Sequence, residues 1–156
     1  MLEVTIPGYK TLLLSFLVLD YNGTIACDGR LIAGVKERLE TLSENVSIHI
    51  LTADTFGSVQ EEMTGIPCEV VVIAKENQTQ AKVDYVRQLG CQKTVAVGNG
   101  RNDALMVKEA VLGIVVIQEE GAAGETLLSA DIATRSILDA LDLLLHPLRL
   151  TATLRS

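Results

Sequence analysis

Five stretches of this chain are apolar nearly throughout, and a segment with helical spacing follows each of them. The stretches are "TLLLSFLVLD", "VSIHILTAD", "CEVVVIA", "KTVAVGNG" and "LGIVVI". A strand with one wet face alternates apolar and polar residues, whereas a strand covered on both faces is apolar throughout. The pattern therefore predicts an α/β domain over residues 1–156, a three-layer, Rossmann-like, mostly parallel sheet with helices on both faces. Before the first of these strands, "LEVTI" and the long apolar run flank the turn "PGYK", which predicts an N-terminal β-hairpin.

The helical segments are read from spacing and end signals. "IAGVKERLETLSEN" places Ile32, Val35, Leu39 and Leu42 on one face. "TFGSVQEEMTG" is a weaker helix closed by Gly65, and "QTQAKVDYVRQLG" has Thr79 as its expected N-cap and Gly90 past its end. "NDALMVKEA" and "AGETLLSA" complete the alternation. A last helix, "SILDALDLLLH", gathers Ile137, Leu141, Leu144 and Leu145 and is stopped by Pro147.

Composition limits the function. With 48% hydrophobic and 21% charged residues, 156 residues suffice for one buried core. A net charge of −7 argues against a nucleic-acid partner or an anionic membrane surface. It leaves room for a phosphorylated ligand, provided that a metal ion supplies positive charge locally. No apolar stretch reaches the roughly 18 residues of a membrane span, and the N-terminus lacks the pattern of a signal peptide. The three cysteines match no metal or redox spacing, so the expectation is a reduced, cytoplasmic protein. The two histidines, His49 and His146, lie far apart without ligand-like neighbours, which argues against a zinc site or histidine catalysis.

In parallel sheets, function gathers at the carboxyl ends of the strands. The residues there are Asp20, Tyr21, Asn22, Gly23 and Thr24 after the first strand, Thr52 and Asp54 after the second, and "GNGRND" (98–103) after the fourth. Asp20 is a nucleophile, a metal ligand, or both. A carboxylate that attacks phosphorus needs charge neutralisation, which Mg²⁺ provides when held by oxygen ligands. Asp103 is the natural partner ligand. The hydroxyl of Thr52, the backbone N–H groups of the 22–24 turn and the ammonium of Lys82 are the groups available to phosphoryl oxygens. Each signal alone has a plainer explanation in turn or cap chemistry. "GNGRND" is not a dinucleotide fingerprint, since that motif needs glycine at position 103 and follows a first strand. A receiver domain fits poorly as well, because the third strand ends in "IAKEN" rather than at a phospho-acceptor.

Together, "FLVLDYNGT", "ILTAD", Lys82 in "QAKVDYVRQLG" and "VAVGNGRNDALMVKEA" resemble the four ordered motifs of the haloacid dehalogenase-like superfamily. They look most like the phosphorylation domain of P-type ATPases, and the tail "DALDLLLHPLRLTATLR" resembles the group called soluble P-type ATPases. The resemblance implies Asp20 as nucleophile, with Thr52 and Lys82 binding and neutralising the phosphoryl group. It implies Asp103 and the main-chain carbonyl of Asn22 as holders of Mg²⁺, and Asn102 as a residue that touches phosphate or positions Asp103.

Two departures stand out. The superfamily's phosphatases carry an acid two residues after the nucleophile, where this chain has Asn22. An amide cannot exchange a proton at neutral pH, so a factor of about 10²–10⁴ from general acid–base catalysis is forgone. Acyl phosphates or phosphoanhydrides, whose leaving groups need no proton, then suit the site better than sugar phosphates. Asn99 likewise replaces a usual metal-ligating Asp with an uncharged oxygen donor. The gaps from Thr24 to Thr52 and from Thr52 to Lys82 leave no room for a cap domain, so the site is expected to be open.

The resulting expectation is a Mg²⁺-dependent phosphohydrolase or phosphotransferase that forms an aspartyl-phosphate on Asp20. Its partner would be a phosphorylated small molecule or a phosphoprotein. The alternative is a phosphate- or metal-binding regulatory protein with little turnover. The apolar hairpin is a candidate contact for a homo-oligomer, against a plainer role as a sheet edge.

Overall fold

The computed structural model describes residues 1–156. Its centre is a six-stranded parallel sheet. In chain order the strands are β3 (Phe16–Asp20), β6 (Ser47–Thr52), β7 (Glu69–Val72), β8 (Thr94–Gly98), β9 (Leu112–Val116) and β10 (Ile132–Thr134), in the spatial order β10-β9-β8-β3-β6-β7. The switch point falls at β3, which pairs with β6 on one side and β8 on the other. Asp20 lies opposite Leu51, and Leu19 opposite Val97. The three strands expected to carry chemistry are therefore immediate neighbours, with their carboxyl ends at one level.

Side-chain alternation along β3 explains the two layers of helix. Leu17 and Leu19 point into the larger core, with Val95 and Val97 of β8 and with the buried faces of α1 (Val35–Leu42) and α6 (Ile137–Leu145). Val18 points the other way, onto Val86 of α3 (Gln78–Leu89) and onto Met106 and Val107 of α4 (Ala104–Glu109). Residues of β8 and β9 are buried without exception, as expected of strands covered on both faces. Two short helices, α2 (Ser58–Glu62) and α5 (Gly124–Ser129), complete the alternation.

The hairpin predicted at the start is present as β1 (Leu2–Thr5) and β2 (Thr11–Leu14). The run "TLLLSFLVLD" is not one strand, however. Ser15 separates β2 from β3: its N–H donates to the Lys93 carbonyl and its own carbonyl accepts from Ser47 N–H, so the hairpin forms its own small sheet. Three further elements were not anticipated. A two-residue hairpin, β4 (Ala26–Cys27) with β5 (Arg30–Leu31), follows the first motif. The edge strand β10 pairs with β9 through "IAT". Pro147 ends α6 and also opens α7 (Pro147–Leu154), occupying the first helical position, where its missing N–H costs nothing.

Helix ends differ in detail. Helix α3 begins after Asn77, held in the left-handed region at φ 56°, so Thr79 lies inside the helix rather than capping it. Gly90 closes that helix as expected, with φ 106°. Ile32 precedes α1 but still packs on the core. Between Thr24 and Thr52 stand only the β4–β5 hairpin and α1, so no cap covers the carboxyl edge of the sheet. No helix is long and apolar enough to cross a membrane.

Candidate active site

The carboxyl edge opens into a cleft of about 450 Å³. Asp20, Asn22, Thr52, Lys82, Asn99 and Asn102 all line it, so one cavity brings together six of the nine residues picked out from the sequence. Gly23 and Thr24 form the turn beneath it, and Asp103 lies behind Lys82.

Lys82 is the centre of the arrangement. Helix α3 brings it in from beside the sheet, and its side chain is 2% exposed. Its ammonium donates to Asp20 Oδ1 at 2.7 Å, to Asp103 Oδ1 at 2.6 Å and to Asn102 Oδ1 at 3.2 Å. Asn102 in turn donates through Nδ2 to Gln78 Oε1 at 2.9 Å, which ties the "GNGRND" turn to the head of α3. Burial pulls the Lys82 pKa down, but Asp20 and Asp103 outweigh it, so the ammonium is held above its ordinary value. For Asp20, burial raises the pKa, and the nearby Asp103 raises it further. Lys82 and the Thr24 hydroxyl offset only part of this, leaving it at about 7. Asp20 is thus a carboxyl group poised near neutrality.

Two expectations need correction. Asp103 does not face the cleft as a free ligand: its side chain is fully buried and both oxygens are in use. Oδ1 accepts from Lys82, and Oδ2 accepts from the backbone N–H groups of Asn99 (3.0 Å) and Gly100 (2.9 Å). The carboxylate lies flat against Gly98, where a Cβ would come within 2.5 Å of Asp103 Cγ, so this position of β8 has space only for glycine. The 22–24 turn likewise does not present free amides at Gly23 and Thr24. Gly23 N–H donates to the Ala26 carbonyl and Thr24 N–H to that of Tyr21. Thr24 acts instead through its hydroxyl, 3.2 Å from Asp20 Oδ2 and 3.3 Å from Asn99 Oδ1, so those two oxygens converge on one buried group.

Thr52, buried at the end of β6, accepts the Asp54 N–H at 3.0 Å, which leaves its hydroxyl proton to donate elsewhere. Asp54 then holds the following loop by accepting from Phe56 N–H, Ser58 Oγ and Val59 N–H. These bonds, led by that from Ser58, keep its own carboxyl below the usual range.

The comparisons bear on this geometry. No family model matches the chain. An uncharacterised protein of Methanocaldococcus jannaschii is 56% identical over 64 residues, which cover 41% of this chain and 69% of that protein. A soluble P-type ATPase-like phosphatase of the same organism is 32% identical over 139 residues, 83% of this chain, and the match spans half of that protein's length. Among solved structures, a 3-deoxy-D-manno-octulosonate 8-phosphate phosphatase from Moraxella catarrhalis, in complex with magnesium, phosphate and the sugar, superposes with a TM-score of 0.70. The sequences are 16% identical, with 85% of this chain and 86% of that one covered. A structure from Legionella pneumophila described as a haloacid dehalogenase superfamily (subfamily IIIA) hydrolase gives 0.72 at 16% identity, covering 90% and 86%. The chain has the fold of the haloacid dehalogenase-like hydrolases.

Against that superfamily's motif pattern, the oxygen positions persist at 22 and 99 while their charge is gone. No group of three His, Cys, Asp or Glu side chains converges anywhere in the chain. A divalent cation here would rely on Asp20, the Asn22 carbonyl and Asn99 Oδ1. These are hard oxygen donors of the type that suits Mg²⁺, with waters completing its shell. Two polar residues of the cleft, Gln78 and Glu120, escaped the sequence reading, and Tyr21 was noted only for its place after the first strand. Tyr21 is buried and donates to the Gly29 carbonyl, which fixes the first motif to the β4–β5 hairpin. Gln78 carries no signal in sequence beyond its place at a helix start. Glu120 follows β9 in "QEEG", a pattern indistinguishable from a solvated loop.

Proposed function

We propose that this chain is a member of the haloacid dehalogenase-like superfamily, a phosphatase or phosphotransferase in which Asp20 becomes transiently phosphorylated, with a divalent cation, Mg²⁺ foremost, as its cofactor. The observation that carries the reading is the Lys82 ammonium held between Asp20 and Asp103 at the open carboxyl edge of the sheet. A buried lysine fixed by three acceptors costs little reorganisation when charge develops nearby, which is the condition for electrostatic stabilisation of a transition state.

In the first step an ionised Asp20 oxygen attacks phosphorus, and the bond to the leaving group breaks with its electron pair. Thr24 holds the other carboxylate oxygen. Thr52 is placed to donate its hydroxyl proton to a phosphoryl oxygen, and Lys82 to neutralise the charge gathered there. In the second step water attacks phosphorus, and Asp20 leaves as the carboxylate. A cation held by Asp20, the Asn22 carbonyl and Asn99 Oδ1 would supply positive charge to the phosphoryl oxygens. The charge of the cleft supports this requirement. Asp20, Asp54 and Glu120 line it against a single base, Lys82, which is already paired, so an anionic substrate meets net negative charge.

Asn22 stands where a proton donor would serve the leaving group, and its amide cannot fill that role. This favours acyl phosphates and phosphoanhydrides over alkyl esters, and it prolongs the phosphorylated state. The open cleft, without a cap, admits either a small molecule or a phosphoprotein. The test is to trap the adduct with beryllofluoride or labelled acetyl phosphate in the presence of Mg²⁺. The expected result is one equivalent of label on the wild-type chain and none on Asp20→Ala. Label that persists in Asp20→Ala, or no adduct from any donor, removes the reading.

A further inference from the structure

The cleft carries a carboxylate for which the four motifs provide no role. Glu120 lines the same cavity as Asp20, Asn22 and Asn99. Its placement relative to Asn99 follows from Gly23, which has φ +78°. A Cβ built on Gly23 would overlap the Glu120 carboxylate oxygen Oε2 and would lie 2.6 Å from Asn99 Nδ2 and 2.9 Å from Asn99 Oδ1. The glutamate and the asparagine therefore converge on one point above the first motif, and the missing side chain of Gly23 gives them space to do so.

The loop that delivers Glu120 is anchored on both sides. Before it, Gln118 donates through Nε2 to the carbonyls of Gly23 (3.2 Å) and Thr24 (2.9 Å), and accepts Ile137 N–H at its Oε1. After it, the Gly121 carbonyl accepts from Asn99 Nδ2 at 3.1 Å, and Ala123 N–H donates to the Asn99 carbonyl at 2.9 Å. Gly121 N–H closes the turn onto the Gln118 carbonyl. The backbone of Glu120 is thus fixed to the 22–24 turn and to position 99, the two places where the motifs have lost a charge.

None of the chain's ion pairs uses Glu120. The one base of the cleft, Lys82, is committed to Asp20 and Asp103. An unpaired carboxylate brought by a rigid loop to the same cleft as Asp20 is repulsive unless a cation stands between them. We propose that Glu120 supplies the second carboxylate of the cation site, as a ligand or through one bound water, in place of the acid absent at position 99. The inference rests on the cation-dependent reading above, and it makes the charge lost from the fourth motif a relocation to the loop after β9.

Mn²⁺ serves as the probe, with the free ion counted by electron paramagnetic resonance, so that no turnover is needed. Affinities are compared for the wild type, Glu120→Gln, Asn99→Asp and the double variant, with Glu119→Gln as the control for general surface charge. Glu120 is exposed, so its amide variant leaves the core untouched. The expected result is an affinity weakened about tenfold or more by Glu120→Gln, within the range seen when groups around a metal are removed. Asn99→Asp in the same chain should restore it, and Glu119→Gln should leave it within twofold of wild type. Equal affinities for Glu120→Gln and Glu119→Gln overturn the assignment while leaving the cation reading intact. A wild-type chain that binds no Mn²⁺ removes both.

Discussion

Replacing Lys82 with methionine tests the centre of the site without opening a large cavity, because the two side chains have similar length. In the folded protein Asp103 is wholly buried and Asp20 half-buried, and the ammonium at 2.6 and 2.7 Å is the cation they share. Removing one member of a buried ionic group leaves uncompensated charge, at a cost of about 3–5 kcal/mol. Asp103 keeps two backbone donors on Oδ2. Asp20 responds by holding its proton, and this gives the cost a pH dependence. In the wild type its folded pKa is raised from 3.8 to about 7, so its contribution to stability is full below the lower value and is lost as pH rises through the higher. Without Lys82 that folded pKa rises further, and the loss continues above pH 7, at up to about 1.4 kcal/mol per pH unit for one proton. The penalty of Lys82→Met should therefore be larger by about 1 kcal/mol at pH 8 than at pH 5.5. Urea unfolding at the two pH values, in chelator so that no cation intervenes, measures both quantities. Adding Asp103→Asn should recover a large part of the loss. A penalty below about 1 kcal/mol at pH 8, or one independent of pH, would show that the lysine is not what holds the two carboxylates together.

Two other substitutions have their own expected outcomes, one within the cleft and one beyond it. Asn22→Asp should raise turnover of simple phosphomonoesters by about 10²–10⁴-fold if only the proton donor is missing, with little change for acetyl phosphate; equal change for both substrates in steady-state assays would contradict that division. His49, buried between Phe16 and Tyr85, has its pKa lowered by burial, with Glu69 opposing. Its stabilisation is present above its unfolded value near 6.5 and is lost as pH falls through the folded one. His49→Gln should therefore flatten the loss of melting temperature between pH 7 and pH 5 relative to wild type, and parallel profiles would refute the assignment.

The sheet was legible in the sequence because burial on both faces removes polar residues from a strand, and the runs around Val18, Ile50, Val97 and Val115 show that directly. The ends of elements were less legible where a tertiary partner decides. Nothing in "TLLLSFLVLD" marks Ser15 as a break, since its two hydrogen bonds go to Lys93 and Ser47, far along the chain. Strand β10 has three residues and exists because β9 lies beside it. At the site, Asp20, Thr52 and Lys82 stood out because their motifs lie at strand ends or helix heads in a fixed order. Asp103 was legible as a member of its turn, but only the fold shows its oxygens meeting Lys82 and the Asn99 and Gly100 amides. Glu120 had no local signal at all. Its position depends on Gln118, whose side chain reaches back some ninety residues to the first motif.

The strand order has a last consequence, for scale. Asp20, Thr52 and the "GNGRND" turn sit at the ends of β3, β6 and β8, which are adjacent in the sheet. Neighbouring strands are held about 4.8 Å apart by their hydrogen bonds. The spacing of the groups that would grip a phosphoryl unit is therefore set by the backbone lattice, and side-chain substitutions can change the charge of that grip but hardly its width. Whatever hangs from the phosphorus projects past the sheet into an uncovered mouth, where this chain offers it little to be measured against. Recognition here has a ruler for one end of the ligand and leaves the other end to whatever approaches from outside.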